Sequence, residues 1–144
     1  MTTRTEPRVE VFALPWPPTA NNSKIPKRGG KGMVSTPELR AFQLVASIKL
    51  RQQWPQGHPM KPPYDVLLVF CPPKNVSRFD LGNYEKAPLD ALTKAGVIED
   101  DSKIAHQEMF RGEKTGPGQV LVQVSEINPV ECEKRLAKVM KVWY

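Results

Sequence analysis

Cysteine is scarce in this chain, and its scarcity excludes two classes. Only Cys71 and Cys132 occur in 144 residues. They stand far apart, without the close spacing of a thiolate metal site, so the expectation is two reduced cytosolic thiols and no disulfide framework. Histidine is as rare, with two in the chain. His58 lies among prolines with no second ligand beside it and reads as a surface residue. No apolar run approaches the roughly 20 residues that a membrane-spanning helix needs. The opening stretch Met1-Thr2-Thr3-Arg4-Thr5-Glu6-Pro7 lacks the apolar core of a signal peptide, so a cytoplasmic protein with no membrane contact is expected. Neither an internal repeat nor a domain boundary is visible, and one domain over residues 1–144 is the expectation.

What is present is an ordinary globular composition, 40% hydrophobic and 25% charged. The formal net charge is +6 and the pI about 9.4, which favours an anionic partner. The acids sharpen that inference. Asp80, Asp100 and Asp101, if gathered, would repel a phosphate backbone unless a divalent cation stood between them. A basic surface around a small acidic centre is the arrangement a magnesium-dependent nuclease requires.

Those acids bracket the stretch around which the chain is organised, residues 79–102. Asp80 stands where a helix is expected to begin. Leu81, Tyr84, Pro88, Ala91, Leu92 and Ala95 recur at helical spacing and mark the face turned to the core. Gly96 is a plausible residue just past the helix end. The helix thus joins Asp80 at its entrance to Asp100 and Asp101 beyond its end, and acids brought together by a fold are how proteins usually build a magnesium site.

Around it, residues 8–14 read as a β-strand that Pro15-Trp16-Pro17-Pro18 terminates. Residues 19–32 read as a loop carrying Lys24, Lys27, Arg28 and Lys31 among glycines. In isolation that is a solvated basic loop; beside an acidic centre it becomes a DNA-contacting arm. Ser35-Thr36-Pro37-Glu38, a hydroxyl cap followed by proline and an acid, starts a helix that runs to about Gln53, with Leu39, Phe42, Val45, Ala46 and Leu50 facing the core. Residues 64–71 form a continuous apolar run, the pattern of a buried central strand. Lys74 and Arg78 then lead into the central helix. Residues 104–110 and 119–127, separated by a glycine-rich turn, read as a β-hairpin. Asn128-Pro129 opens an amphipathic C-terminal helix to about residue 143, with Val130, Leu136, Val139, Met140 and Trp143 apolar; it could cover the sheet or serve an interface. The order β-α-β-α-β-β-α predicts an α+β domain with helices packed on a small mixed sheet.

Leu14-Pro15-Trp16-Pro17-Pro18-Thr19 with Asn21-Asn22, then Asp80-Leu81-x-Asn83 with Lys86, then Asp90-Ala91-Leu92-Thr93-Lys94-Ala95-Gly96 and Asp100-Asp101, resemble the RusA family of Holliday junction resolvases. The resemblance covers about residues 11–127. It implies a RusA-like fold and a homodimeric, Mg2+-dependent endonuclease of phages and prophages, which resolves four-way DNA junctions in recombination and repair by paired nicks. Carried over position by position, it implies metal ligands at Asp80 and Asp101 with Asp100 in support, Mn2+ as a possible substitute, and a catalytic or phosphate-contacting lysine at Lys86. The family's acidic motif reads Asp-Leu-Asp-Asn, and its second aspartate falls here on Gly82, so one ligand is missing unless Glu85 or Glu99 replaces it. Lys24, Lys27, Arg28, Lys31, Lys74, Arg78 and Lys86 are the expected DNA contacts.

Each residue also has a plainer reading. Asp80 could be a helix cap, Lys86 and Asp90 a surface pair at i,i+4 spacing, and Asp100-Asp101 an acidic turn. Three functions therefore stand side by side: a junction-cutting nuclease, a junction binder that Gly82 has disarmed, and a basic interaction domain.

Overall fold

The computed structural model describes residues 7–22, 24–55 and 57–143; the side chains of Asn22, Val142 and Trp143 lie outside the description, as does the terminal segment before Pro7. In chain order the elements are strand β1 (Val9–Pro15), the short strands β2 (Lys24–Pro26) and β3 (Met33–Ser35), helix α1 (Pro37–Gln53), strand β4 (Tyr64–Cys71), helix α2 (Lys86–Lys94), strands β5 (Ile104–Arg111) and β6 (Gln119–Glu126), and helix α3 (Pro129–Trp143). This is an α+β fold with a mixed sheet, as the element order predicts.

The sheet has the order β1-β6-β4-β5. The apolar run of β4 takes an inner place, antiparallel to β6 and parallel to β5. Tyr64, Val66, Leu68 and Phe70 of β4, Val120, Val122 and Val124 of β6, and Phe12 and Leu14 of β1 all point to one face and are fully buried. There they meet Leu39, Phe42, Ala46 and Leu50 of α1 and Leu89, Ala91 and Leu92 of α2. Burying each large side chain of this kind contributes about 1.5–3 kcal/mol. Helix α1 starts as its sequence predicts: Thr36 Oγ1 accepts from Leu39 N–H at 3.2 Å and Pro37 follows. Val45, placed by its spacing on the core face, is instead 40% exposed, because it lies at the rim of that face beside the Pro15–Trp16 segment.

The hairpin expected from β5 and β6 does not form. Strand β4 lies between them, because its apolar run needs a partner on both edges whereas β5, which contains His106, Gln107 and Glu108, suits an outer position. Residues 112–118 accordingly pass over the end of β4, where Gly112 N–H donates to Phe70 O (2.8 Å) and Thr115 N–H to Pro72 O (3.0 Å). Two glycines make this crossing possible. A Cβ on Gly112 would lie 2.6 Å from Cys71 Sγ, and one on Gly118, at φ +80°, 2.6 Å from Pro73 Cδ.

Two other expectations change. Residues 19–32 are not structureless: a single 3-10 turn (Ala20–Asn22) precedes the antiparallel pair β2–β3. The C-terminal helix does not cover the core, since Val130, Leu136, Val139 and Met140 are 40–61% exposed. It is tied to the back of the sheet by Arg135, whose Nη1 donates to Asp65 Oδ2 at 3.2 Å. Trp143's side chain, part of the expected apolar stripe, is among those not described. Cys71 and Cys132 are both free thiols, and His58 is exposed. No helix among the described residues is long and apolar enough to cross a membrane.

Candidate active site

The central helix is shorter than its apolar spacing suggests, and the difference places the acids. Asp80 is followed by a single 3-10 turn (Leu81–Asn83), and α2 begins only at Lys86. Asp80 therefore does not cap the helix. Its backbone carbonyl accepts from Asn83 N–H at 3.0 Å, while its side chain makes no capping hydrogen bond and is exposed. The plain structural use for that carboxylate is absent. Gly96, at φ +77°, ends the helix as expected.

The segment between Asp80 and α2 is held against β5 at two points. Arg111, at the end of β5, donates from Nη1 to Phe79 O at 2.6 Å, and its guanidinium carbon lies 4.9 Å from the centre of the Phe79 ring. Four residues earlier, Gln107 donates its amide to Glu85 Oε2. In a strand those two clamps stand about 13 Å apart. Phe79 and Tyr84 also pack edge to face on each other (5.6 Å) and both contact Trp16, at 5.3 and 4.8 Å. The Pro-Trp-Pro motif thus backs the acidic segment.

At the Arg111 end, Ser77, Arg78, Phe79, Asp80 and Arg111 line an open cleft of about 490 Å3. At the Gln107 end, Glu85, Lys86, Leu89, Asp101, Ile104 and Gln107 line one of about 300 Å3. The fold thus brings Lys86 and Asp101 to one cleft, although the whole of α2 separates them in sequence. Asp80 lines the neighbouring cleft, and Gly82 lies in the turn between the two. Lys86 is an odd choice on helical grounds, because a cation in the first turn opposes the helix dipole. No ion pair forms between Lys86 and Asp90 among the described residues, so the surface-pair reading fails too.

The neighbouring side chains of Asp100 and Asp101 shift each other in opposite directions. Asp101 is raised above its ordinary value, first by its side-chain interaction with Asp100, with desolvation and the charges of Asp100 and Asp90 adding to it. Asp100 is pulled below it, first by Asp101 and then by Ser102, whose Oγ donates to Asp100 Oδ2 at 3.1 Å. Two neighbouring carboxylates would be relieved of their mutual repulsion by a cation between them. Among the described residues no group of three or more His, Cys, Asp or Glu side chains is gathered as a metal centre, so the expected Asp80–Asp100–Asp101 cluster does not form. Asp80 stands before the turn that precedes α2 and Asp101 in the turn that follows it, and the two line separate clefts. The oxygen donors present still fit Mg2+, which is commonly held by one or two carboxylates together with phosphate oxygens and water.

Of the expected DNA contacts, Lys24, Lys27, Arg28, Lys31, Lys74, Arg78 and Lys86 are all exposed. Lys27, Arg28 and Lys31 occupy the β2–β3 turn, closed by Lys27 N–H donating to Gly32 O at 2.9 Å. Sequence reading missed Arg111, Gln107 and Lys94. Nothing in the spacing marks the first two, because their role depends on β5 lying beside the Phe79–Glu85 segment.

An acidic edge ringed by lysines and arginines, on an α+β scaffold, defines a class equipped for phosphodiester chemistry. Comparison with known proteins makes it particular. Residues 15–125 match the family endodeoxyribonuclease RusA. The crossover junction endodeoxyribonuclease RusA of Escherichia coli (strain K12) is 30% identical over 116 residues, covering 81% of this chain and 93% of the relative. Crossover junction endodeoxyribonuclease rusA of Enterobacteria phage 82 is 29% identical over the same length and shares. The chain belongs to the endodeoxyribonuclease RusA family. Helix α3 lies beyond the matched residues.

Proposed function

We propose that the protein is a Mg2+-dependent, structure-selective endonuclease that resolves four-way DNA junctions by paired nicks, acting as a homodimer in recombination and repair. The observation that supports this reading is the meeting of Lys86 and Asp101 in one cleft of a RusA-family chain. Asp101 and Asp100 would hold the metal, with Asp80 at the adjoining cleft and Glu85 the residue placed to stand in for the acid that Gly82 lacks. When bound, Mg2+ supplies polarisation of a phosphoryl oxygen and neutralises charge that the acids would otherwise turn against DNA. Lys86 sets a positive charge beside the scissile phosphate. Arg111 and Gln107 fix the segment that bears Asp80 and Glu85. The exposed Lys27, Arg28, Lys31, Lys74 and Arg78 meet flanking phosphates. Mn2+ would substitute for Mg2+ at oxygen donors. A bacterial cytoplasm, with a phage or prophage origin for the gene, suits such an activity and the phage 82 relative.

Pairing of two copies is supported by apolar surface on the back of the sheet, where Val11 is 61% and Phe110 52% exposed. A second reading, a junction binder without cleavage, is favoured by Gly82 and by the absence of a three-acid group among the described residues. One assay separates them. A labelled four-way junction is incubated with Mg2+ beside a mobility-shift control: symmetric nicks support the nuclease, and selective binding without nicks supports the binder. Equal affinity for linear duplex at moderate salt overturns both.

A further inference from the structure

Lys86 lines a second cleft as well, of about 430 Å3, between the β2–β3 pair, α1 and α2. Its wall contains Lys24 from β2, Lys86 and Lys94 from the two ends of α2, and Asp90 between them, with Ser35 and Gln43 completing the polar lining. Lys94 alone would be accounted for by its favourable place at the helix C-terminus. Lys24 comes from a different element, and Lys86 sits at the unfavourable end, so helix electrostatics explains neither. None of the three lysines takes part in an ion pair among the described residues. Asp90 leaves all three ammonium groups available while its charge acts on Asp101 in the other cleft.

Lys86 and Lys94 are eight residues apart on one helix face, about 12 Å along the axis. One strand of B-form DNA advances about 3.4 Å per nucleotide along the duplex axis, and because the backbone winds round that axis its successive phosphates stand about twice that distance apart. A backbone lying along α2 would therefore present phosphates about two nucleotides apart to the two lysines, with Lys24 facing it from across the cleft. Charges spread along a helix from end to end match a chain of phosphates better than one small anion.

We propose that this cleft is a backbone subsite that seats the flanking phosphates of the strand whose phosphate meets Lys86 and Asp101, with Lys24 and Lys94 as its ligands. The inference rests on DNA being the substrate. It adds Lys94 to the DNA-contacting residues and gives the strand a path along α2, past Lys86, towards the β2–β3 turn.

The test measures binding in EDTA, so it does not depend on cleavage. Lys24→Gln and Lys94→Gln should each reduce the slope of log affinity against log salt by roughly one, on junction and duplex alike. Lys94→Arg should restore the slope. A scan of single neutral methylphosphonates through one junction strand should find a position, about two nucleotides from the cleavage point, that weakens binding to the parent but not to the Lys94→Gln variant. Unchanged slopes in correctly folded variants, or methylphosphonate penalties that add independently of Lys94, overturn the subsite. Inorganic phosphate competing with DNA in the parent at millimolar concentration, and not in Lys94→Gln, would show a small-anion site and overturn it as well. A parent that binds junction and linear duplex equally counts against the junction reading while leaving the subsite to be judged on its slopes.

Discussion

Arg111 Nη1 donates to the Phe79 carbonyl oxygen at 2.6 Å, so the last residue of β5 holds the peptide that leads into Asp80. The same guanidinium covers the Phe79 ring. An arginine that spends its planar group on neighbouring backbone and ring is a positioning residue, and its loss should be felt at the acid it positions. Arg111→Ala is expected to lower stability by only about 1 kcal/mol, because the pair is exposed. Single-turnover junction cleavage should fall further than binding in EDTA falls. Arg111→Lys, which keeps charge but not the planar stack, should recover binding and not rate. A cleavage rate unchanged in Arg111→Ala would remove Arg111 from the site.

Asp80→Asn and Asp101→Asn should abolish cleavage while leaving junction binding in EDTA at least as tight as in the parent. Each change removes a negative charge that repels phosphate, and each lowers metal affinity. The check is a mobility shift paired with a nicking assay on the same preparations. Weakened binding by a folded Asp101→Asn protein would mean that the acid positions DNA directly.

Gly82 has open space around it: an added Cβ meets no atom within 4 Å, and its φ is not positive. Gly82→Asp should therefore fold with unchanged stability to within about 0.5 kcal/mol, as is usual for surface changes. It should also place a carboxylate between the Asp80 and Asp101 clefts. Mg2+ affinity, read from cleavage against Mg2+ concentration, should tighten, and the cleavage rate should rise. A folded Gly82→Asp protein that cuts no better than the parent would leave Glu85 as the better replacement for the missing acid.

Gly118 is the opposite case. Its positive φ and the 2.6 Å approach of a Cβ to Pro73 Cδ leave no relaxed place for a side chain. Gly118→Ala should cost about 1–3 kcal/mol, since strain and overpacking act together. Urea denaturation checks it; a midpoint equal to the parent's would show that the crossing over β4 is looser than the structure has it.

The opposite shifts of Asp100 and Asp101 have a pH signature. Because Asp101 is raised in the folded state, the native protein binds more protons than the unfolded chain just above the ordinary aspartate value of 3.8, and this group's contribution to stability declines as pH rises through that window. Asp100, lowered, has the opposite sign: its contribution is present above 3.8 and is lost as pH falls. Both groups are near the surface, so the net slope is small. Mg2+ bound between the two carboxylates should raise the melting temperature at neutral pH, and Asp101→Asn should lose that increment. A melting temperature indifferent to Mg2+ in the parent would argue against a metal at this pair.

The sequence by itself determined most of the longer elements and their buried faces, because helix caps, apolar period and proline stops act within a few residues of where they are read. Thr36 and Pro37 start α1 where expected, residues 64–71 form the inner strand, and Gly96 stops α2. The motif residues from Pro15 to Asp101 were enough to indicate the family. Only the tertiary structure decided what lies beside what. β4 inserts between β5 and β6 because a strand apolar on both faces must be paired on both edges, a competition that no local signal in residues 104–127 reveals. Asp80 is left uncapped, and α2 starts six residues later than Asp80, because Arg111 and Gln107 hold the intervening turn against β5. The same packing sends Lys86 and Asp101 into one cleft and Lys24 and Lys94 into another. Charge patterning had marked most of these residues as basic or acidic surface; their grouping depends on contacts between elements far apart in the chain.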